Sequence, residues 1–120
     1  MVRETLGERV RRARLQADLS LRELARRLKI TPSYLSDIEH DRRVPSEPVL
    51  RAISHELSLD VDELITLSGR LGEEAERYLR QSPAAATLLR RISQSRLGEE
   101  QVARLAEEAE RLGRKARGKR

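Results

Sequence analysis

Short hydrogen-bonding side chains are concentrated on one predicted helix in the first third of the chain. Thr31 and Pro32 are typical of a helix start, because a Thr hydroxyl can accept from a free backbone N–H and Pro lacks an N–H that would have no partner there. Leu35 and Ile38 lie three residues apart and are expected to face inward. The polar side chains left on the outer face are Ser33, Tyr34, Ser36, Asp37 and His40. Such groups, close to many arginines, can hydrogen-bond to base-pair edges in the major groove of DNA.

A second short helix is predicted immediately before this one, with only a tight turn between them. Ser20 and Glu23 have the spacing of a capping box, in which each side chain accepts from the backbone N–H of the other residue. Apolar residues follow at helical period, namely Leu21, Leu24, Ala25 and Leu28. Two short helices joined by a tight turn, the second one carrying the polar groups, are typical of a DNA-binding helix-turn-helix.

The composition favours an all-α protein without a metal or thiol site. Phe, Trp and Cys are absent, so the core must be aliphatic, and the abundance of Leu, Arg, Glu and Ala favours helices. Without Cys there is no disulfide and no Cys-based zinc site, and only two histidines, His40 and His55, are available as imidazole ligands. No apolar stretch is long enough to span a membrane and no signal peptide is recognisable. We therefore expect a cytoplasmic protein that uses no cofactor.

Positive charge is unevenly distributed along the chain. The net charge is +5, yet residues 1–43 hold 11 Lys or Arg against 7 Asp or Glu, and residues 71–120 hold 12 against 8. Residues 44–70 are acidic, with 2 against 5. Because a basic excess surrounds the predicted pair of short helices, it favours a nucleic-acid partner over a role in solubility alone.

A further helix is predicted at the start of the chain. Thr5 has Glu8 three residues later, so the capping-box spacing occurs here as well. The helix is expected to end near Asp18 and to bury Leu19 in the core. Its inward stripe at helical period consists of Leu6, Val10, Ala13 and Ala17.

Two more helices complete a predicted five-helix domain in residues 1–70. Ser46 is the expected cap of the fourth helix, whose inner face would be formed by Val49, Leu50, Ile53 and Leu57. Asp60 and Glu63 have capping-box spacing and would open the fifth helix. Gly69 is expected to end it.

Residues 71–113 are predicted to form a small helical segment that mediates oligomerisation. Helices are expected over residues 73–81, 84–94 and 99–112. The candidate contact residues are Leu88, Leu89, Ile92, Val102, Leu105, Ala109 and Leu112, of which the last four have heptad-like spacing. Helices of this length are marginal alone, so they need each other or another subunit. Residues 114–120, with five basic residues and no acid, are expected to be a disordered tail.

Residues 6 to about 67 resemble the lambda-repressor-like (Xre/Cro) helix-turn-helix domain. The matching residues are the run LSLRELARRLKITPSYLSDIEHDRRVPS at 19–46, followed by VLRAI at 49–53 and LDVDEL at 59–64. The resemblance implies an all-α fold of five helices, with the third helix in the major groove. It also implies that the helices after residue 70 are an appended oligomerisation segment.

The resemblance implies roles for individual residues. The base-reading positions match Pro32, Ser33 and Asp37, with Tyr34 and Ser36 beside them. The candidates for phosphate contact are Ser20, Leu21, Arg22, Thr31, Tyr34, Arg42 and Arg43. Pro32 and Leu21 depart from the family pattern, because polar side chains are common at both positions. A structural ion pair between the first and third helices is implied for Arg14 and Glu39.

Two functional hypotheses follow from these features. The first is a sequence-specific regulator of transcription, a repressor that binds a palindromic double-stranded DNA operator as a homodimer. The alternative is an antitoxin or partner-titrated switch, whose C-terminal helices bind a toxin, protease or antirepressor while DNA binding serves autoregulation. An enzyme is not expected, since the chain has no Cys, no Ser/His/Asp spacing and no phosphate-binding Gly-rich loop.

Overall fold

The computed structural model describes residues 3–118, and every regular element in that range is a helix. The chain divides into two compact units, Met1–Glu74 and Ala75–Arg120. The helices are α1 (Leu6–Gln16), α2 (Leu21–Leu28), α3 (Pro32–Glu39), α4 (Glu47–Leu57), α5 (Val61–Ser68), α6 (Glu73–Gln81), α7 (Pro83–Gln94) and α8 (Glu99–Gly118).

Two of the three predicted capping boxes are present and one is wrong. Thr5 with Glu8 caps α1, and Ser20 with Glu23 caps α2. At α5, the Asp60 carboxylate accepts from the Asp62 N–H at 2.9 Å without a reciprocal bond to Glu63. Glu63 instead accepts from Arg9 Nε of α1 at 2.9 Å, because the fold brings this cation within reach of its carboxylate.

A left-handed residue follows each of the five helices in the first unit, and in four cases it is not glycine. α1, α2, α3 and α4 are each followed by a non-glycine residue in the left-handed region, namely Asp18, Lys29, Asp41 and Ser58. This conformation lets the next N–H return to a free carbonyl of the last helical turn. Because α1 ends at Gln16, Ala17 is its C-cap and is exposed, so its predicted place on the inward stripe is wrong.

An aliphatic core holds the first unit together. α1 packs against α3, α4 and α5, α2 packs against α3 and α4, and α4 packs against α5. The buried cluster consists of Leu6, Val10, Leu19, Leu24, Ala25, Leu28, Leu35, Leu50, Ile53, Leu64 and Ile65. Of the predicted inner face of α4, Leu50 and Ile53 are fully buried, whereas Val49 and Leu57 are half-buried at the edge of the core.

The second unit contains α7, α8 and most of α6. The Ser82 hydroxyl caps α7 by accepting from the Ala85 N–H at 3.2 Å. α8 continues to Gly118, so the prediction that the helix ends at Leu112 and that the chain is disordered from Arg114 is wrong as far as Gly118. An ion pair one turn apart, Arg114 to Glu110 at 3.0 Å, extends the helix, and basic residues suit its C-terminal end. Lys119 and Arg120 of the predicted tail lie outside the described residues.

Candidate nucleic-acid interface

α3 is presented by the turn that joins it to α2. Lys29 adopts the left-handed conformation and Ile30 packs against the core, and only three residues separate the end of α2 from the start of α3. The Thr31 hydroxyl then accepts from the Tyr34 N–H at 3.0 Å, and Pro32 occupies the first turn of α3. This geometry fixes the N-terminal end of α3 and leaves Pro32 and Ser33 exposed on it.

The polar surface of α3 is less open than the sequence pattern predicts. Tyr34, Ser36 and Asp37 are half-buried, whereas all three were predicted to face solvent. The Ser36 hydroxyl lies 3.5 Å from His40 Nδ1, and the same nitrogen lies 2.8 Å from the Ser36 carbonyl oxygen. Ser36 is thus partly covered by the residue that caps its own helix.

Arg42 and Arg43 each contact a side chain of α3. Arg42 Nε donates to Asp37 Oδ1 at 3.0 Å, and the Arg42 side chain remains 60% exposed. The Arg43 guanidinium lies 4.9 Å from the centroid of the Tyr34 ring, within the range of a cation–π contact. Two residues predicted to bind phosphates are thus paired with two residues predicted to read bases.

The loop after α3 is held at both ends. Pro45 is buried, and its carbonyl oxygen accepts from Arg70 Nε at 2.7 Å. At the other end, the Arg42 N–H donates to the Asp37 carbonyl oxygen at 2.8 Å. The positions of Arg42 and Arg43 beside α3 are therefore set by the main chain as well as by their side chains.

A buried ion pair links α1 to α3. Arg14 Nε donates to Glu39 Oε2 at 2.7 Å and Arg14 Nη2 donates to Glu39 Oε1 at 3.0 Å, a bidentate arrangement. A third bond joins Arg14 Nη1 to the Leu19 carbonyl oxygen at 3.0 Å. The side chains are 10% and 2% exposed, and the hydrogen bonds that Arg14 donates to Glu39 raise the pKa of Arg14 above its ordinary value. The pair therefore fixes the C-terminal end of α3 on α1.

The start of α2 offers backbone and side-chain donors. The Ser20 hydroxyl accepts from the Glu23 N–H at 3.1 Å, which leaves its O–H to donate. Leu21 is half-buried and packs against the core, so only its backbone N–H can serve a phosphate. Arg22 is exposed and leaves its guanidinium in solvent.

A comparison with known families decides what this arrangement is. A family model described as a helix-turn-helix domain matches residues 7–70, more than half of the chain. The chain belongs to the Xre-like helix-turn-helix family. It is a transcriptional regulator with a helix-turn-helix DNA-binding domain, and α2 and α3 are the two helices of the motif.

Known proteins resemble this helix-turn-helix regulator over different lengths. The transcriptional regulator ClgR of Mycobacterium tuberculosis is 34% identical over 84 residues, which are 70% of this chain and 75% of that protein. The immunity repressor protein of Bacillus phage phi105 is 32% identical over 74 residues, 62% of this chain and 51% of that protein. Among solved structures, the N-terminal DNA-binding domain of SinR from Bacillus subtilis is 33% identical and covers 52% of this chain and 93% of its own, with a TM-score of 0.48.

Two residues that support the helix-turn-helix were missed in the sequence. Asp41 accepts from Thr5 Oγ1 at 2.6 Å and from the Gly7 N–H at 2.9 Å, so the residue that ends α3 also caps α1. A Cβ atom on Gly7 would lie 2.4 Å from the Glu39 carbonyl oxygen, so this close approach requires glycine. The only sign of this close approach in the sequence was a glycine in the first turn of a helix whose other residues follow a clear helical pattern.

The second unit of the regulator presents its candidate contact residues to solvent. None of the residues from 75 to 118 is buried. Of the predicted contact residues, Leu88, Leu89, Leu105, Ala109 and Leu112 are exposed, and Ile92 and Val102 are half-buried. Tyr78 of α6, which is 63% exposed, adds an aromatic surface.

Two other classes of site find no support in the described part of the regulator. Residues 3–118 contain no cluster of His, Asp or Glu suited to a metal ion. In the same range, no helix combines the length and the apolar character that crossing a bilayer requires.

Proposed function

We propose that the protein is a repressor that binds a palindromic DNA operator as a homodimer, with α3 in the major groove. The observation that carries this proposal is the rigid presentation of α3. Its core side is buried, its C-terminal end is tied to α1 by the Arg14–Glu39 pair, and its N-terminal end exposes Pro32 and Ser33. A groove-reading helix needs such fixed geometry, because a small displacement of its side chains would lose base contacts.

The base-reading surface consists of Pro32, Ser33, Tyr34, Ser36 and Asp37. Ser33 can donate to or accept from a base edge, and Pro32 offers an apolar contact for a thymine methyl group. The Asp37 carboxylate can accept from a cytosine N4 amine. Direct reading therefore depends on few hydrogen bonds, and the shape of the DNA supplies further specificity.

Phosphate contacts come from the groups on either side of α3. They are the first-turn N–H groups of α2 at Leu21 and Arg22, the Ser20 and Thr31 hydroxyls, the Tyr34 hydroxyl, and the guanidinium groups of Arg42 and Arg43. The two arginines lie in a loop whose main chain is hydrogen-bonded at both ends, to the Asp37 carbonyl oxygen and to the Arg70 side chain. They can therefore meet the backbone without a large loss of conformational entropy.

The homodimer is the role we assign to the second unit. One domain contacts only a few base pairs, so two domains about 34 Å apart are needed for a useful operator. α7 and α8 expose Leu88, Leu89, Leu105 and Leu112, which a second copy can cover. The name of the phage phi105 relative, an immunity repressor, supports the direction of regulation.

The test is selection of bound DNA from a random pool, followed by measurement of the mass of the complex on the selected site. We expect a two-fold symmetric site with two chains per duplex. The Ser33→Ala variant should select a different sequence, while Arg22→Ala should select the same one with lower affinity. A lack of any enriched sequence would overturn the proposal. A single chain on an asymmetric site would overturn the homodimer and favour capture of a different protein by α7 and α8.

A further inference from the structure

The turn after α3 differs from the other turns of the first unit that have a non-glycine residue in the left-handed region, which are those after α1, α2 and α4. In each of these turns the residue after the left-handed position returns its N–H to the preceding helix. Within residues 3–74, the residues after the left-handed positions at the ends of α1, α2 and α4 are apolar and pack on the core, namely Leu19, Ile30 and Leu59. After α3 the same place is taken by Arg42. The turn that follows the DNA-reading helix therefore has an exposed arginine where the other three have an apolar residue on the core.

The backbone of this turn holds Arg42 over Asp37. The Arg42 N–H donates to the Asp37 carbonyl oxygen at 2.8 Å, and Asp41 is anchored in turn to Thr5 and Gly7 of α1. The Arg42 side chain then reaches Asp37 Oδ1 through Nε at 3.0 Å. A main-chain bond and a side-chain bond thus join the same two residues. The main-chain bond keeps Arg42 beside Asp37, so that the two side chains can pair.

The pairing changes what each group can do at a DNA surface. A lone carboxylate is repelled by phosphates, so an unpaired Asp37 would oppose binding. With Nε on Oδ1, the Asp37 charge is balanced and Oδ2 is left for a base amine. Arg43 does not share this role, because its guanidinium lies over the Tyr34 ring at 4.9 Å.

We infer that Asp37 and Arg42 form one reading unit, in which Arg42 is the positioning residue that makes Asp37 a cytosine reader. This inference rests on the proposed function, since it concerns the same α3 surface. It adds a second role for Arg42, which was grouped above with Arg43 as a phosphate contact. The unit selects a cytosine amine and disfavours a base edge that presents only acceptors.

A double-mutant cycle on the full-length protein tests this coupling. Asp37→Asn removes the charge and keeps the shape, and Arg42→Ala removes the partner. We expect Arg42→Ala to weaken binding to the selected site in the protein that keeps Asp37. In the Asp37→Asn background, the loss caused by Arg42→Ala should be about tenfold smaller. A coupling of this size is typical of residues in contact. The cycle of Arg43→Ala with Asp37→Asn is the matched control, and it should be additive. The Arg42 side chain is 60% exposed, and a pair of this kind adds little stability, so all variants should unfold at nearly the same temperature.

Base preference supplies the second readout. Arg42→Ala should lose the preference for C·G at the position that Asp37 reads, whereas Arg43→Ala should keep it and lower the salt dependence by about one slope unit. Asp37→Asn should move the preference toward adenine. If Arg42→Ala and Arg43→Ala behave alike and both cycles are additive, the reading unit is refuted while DNA binding stands. If the unaltered protein selects no DNA site, the proposed function fails, and this inference fails with it.

Discussion

The two units of this protein are built from similar helices but differ in what those helices bury. The first unit encloses a cluster of eleven aliphatic residues, and even its buried Arg14–Glu39 ion pair is fully hydrogen-bonded. In the second unit no residue from 75 to 118 is buried, although leucines recur along α7 and α8. Helices of similar composition therefore form a buried core in the first unit, whereas in the second unit they leave their leucines exposed or half-buried.

The difference follows from where each unit gains its stability. The first unit gains it from tertiary packing, which supplies most helical stability in proteins. α8 relies on local ion pairs such as Arg104 with Glu100 and Arg114 with Glu110, and each such exposed pair contributes little. We therefore expect the first unit to fold without a partner and the second to depend on one. The predictions that follow test this contrast, beginning with the largest effect.

Glu39→Ala should cause the largest loss of stability. It leaves the Arg14 guanidinium buried without its counter-ion, which costs ~3–5 kcal/mol for a buried pair. Chemical unfolding of the first unit, followed by circular dichroism, measures the effect. Glu63→Ala is the matched control, because it breaks a more exposed ion pair that links α5 to Arg9 of α1. Its loss should cost about 0–1 kcal/mol. Equal losses in the two variants would contradict the buried pair as the anchor of α3.

Gly7→Ala should come next. Its Cβ would lie 2.4 Å and 2.6 Å from the carbonyl oxygens of Glu39 and Ile38, and backbone atoms cannot move aside as a side chain can. Overpacking of this kind costs ~1–3 kcal/mol. Gly113→Ala in α8 is the control, because its Cβ would meet only the end of the Arg117 side chain at 3.4 Å. It should increase the helix content, since Ala is favoured over Gly by ~1 kcal/mol within a helix. A stable Gly7→Ala protein would show that α1 and α3 are not in close contact.

Leu105→Asp should act on association alone. The side chain is 39% exposed in the single chain, so its replacement costs the fold little, whereas a second copy would have to bury the new charge. We expect the self-association constant, measured by sedimentation, to fall at least about tenfold, while the unfolding of the first unit is unchanged. Arg104→Asp, one position away on the same helix, is the control that introduces the same side chain. Unchanged association in Leu105→Asp would remove α8 from the dimer contact.

The smallest effect should come from protonation of one exposed carboxylate, Glu108, in the second unit. The hydrogen bond from Arg111 lowers the pKa of Glu108 below its ordinary value of 4.5. A carboxylate with a lowered pKa in the folded state stabilises the helix above pH 4.5, and this contribution is lost as the pH falls through the lowered pKa. Helix content of α8 should therefore decline slightly below pH 4.5, as seen by circular dichroism. Glu108→Gln should abolish that decline, and a decline that persists in this variant would assign it to other carboxylates.

The sequence predicted those features that depend on neighbours along the chain. Helix starts at Thr5, Ser20 and Thr31 follow from local capping chemistry, and the inward positions of Leu35 and Ile38 follow from helical period. The Arg14–Glu39 pair came from a family resemblance, because residues 25 apart carry no local signal of contact.

Features that depend on distant segments were missed or wrong. Glu63 was assigned to a capping box because nothing nearby indicates that Arg9 of α1 lies within reach. The double role of Asp41 and the close approach at Gly7 require knowledge of how α1 meets the end of α3. The pairing of Asp37 with Arg42 was missed for a different reason. It depends on a left-handed turn at a non-glycine residue, which the sequence pattern does not reveal.

Hydrogen exchange of the full-length protein across a dilution series tests the contrast between the two units most directly. If the first unit folds by its own core and the second is ordered by association, amide protection in α1–α5 should be independent of concentration. Protection in α7 and α8 should fall as the protein is diluted below its dissociation constant. Protection in α7 and α8 that stays constant at every concentration would contradict the account, because it would mean that the second unit is stable as a single chain.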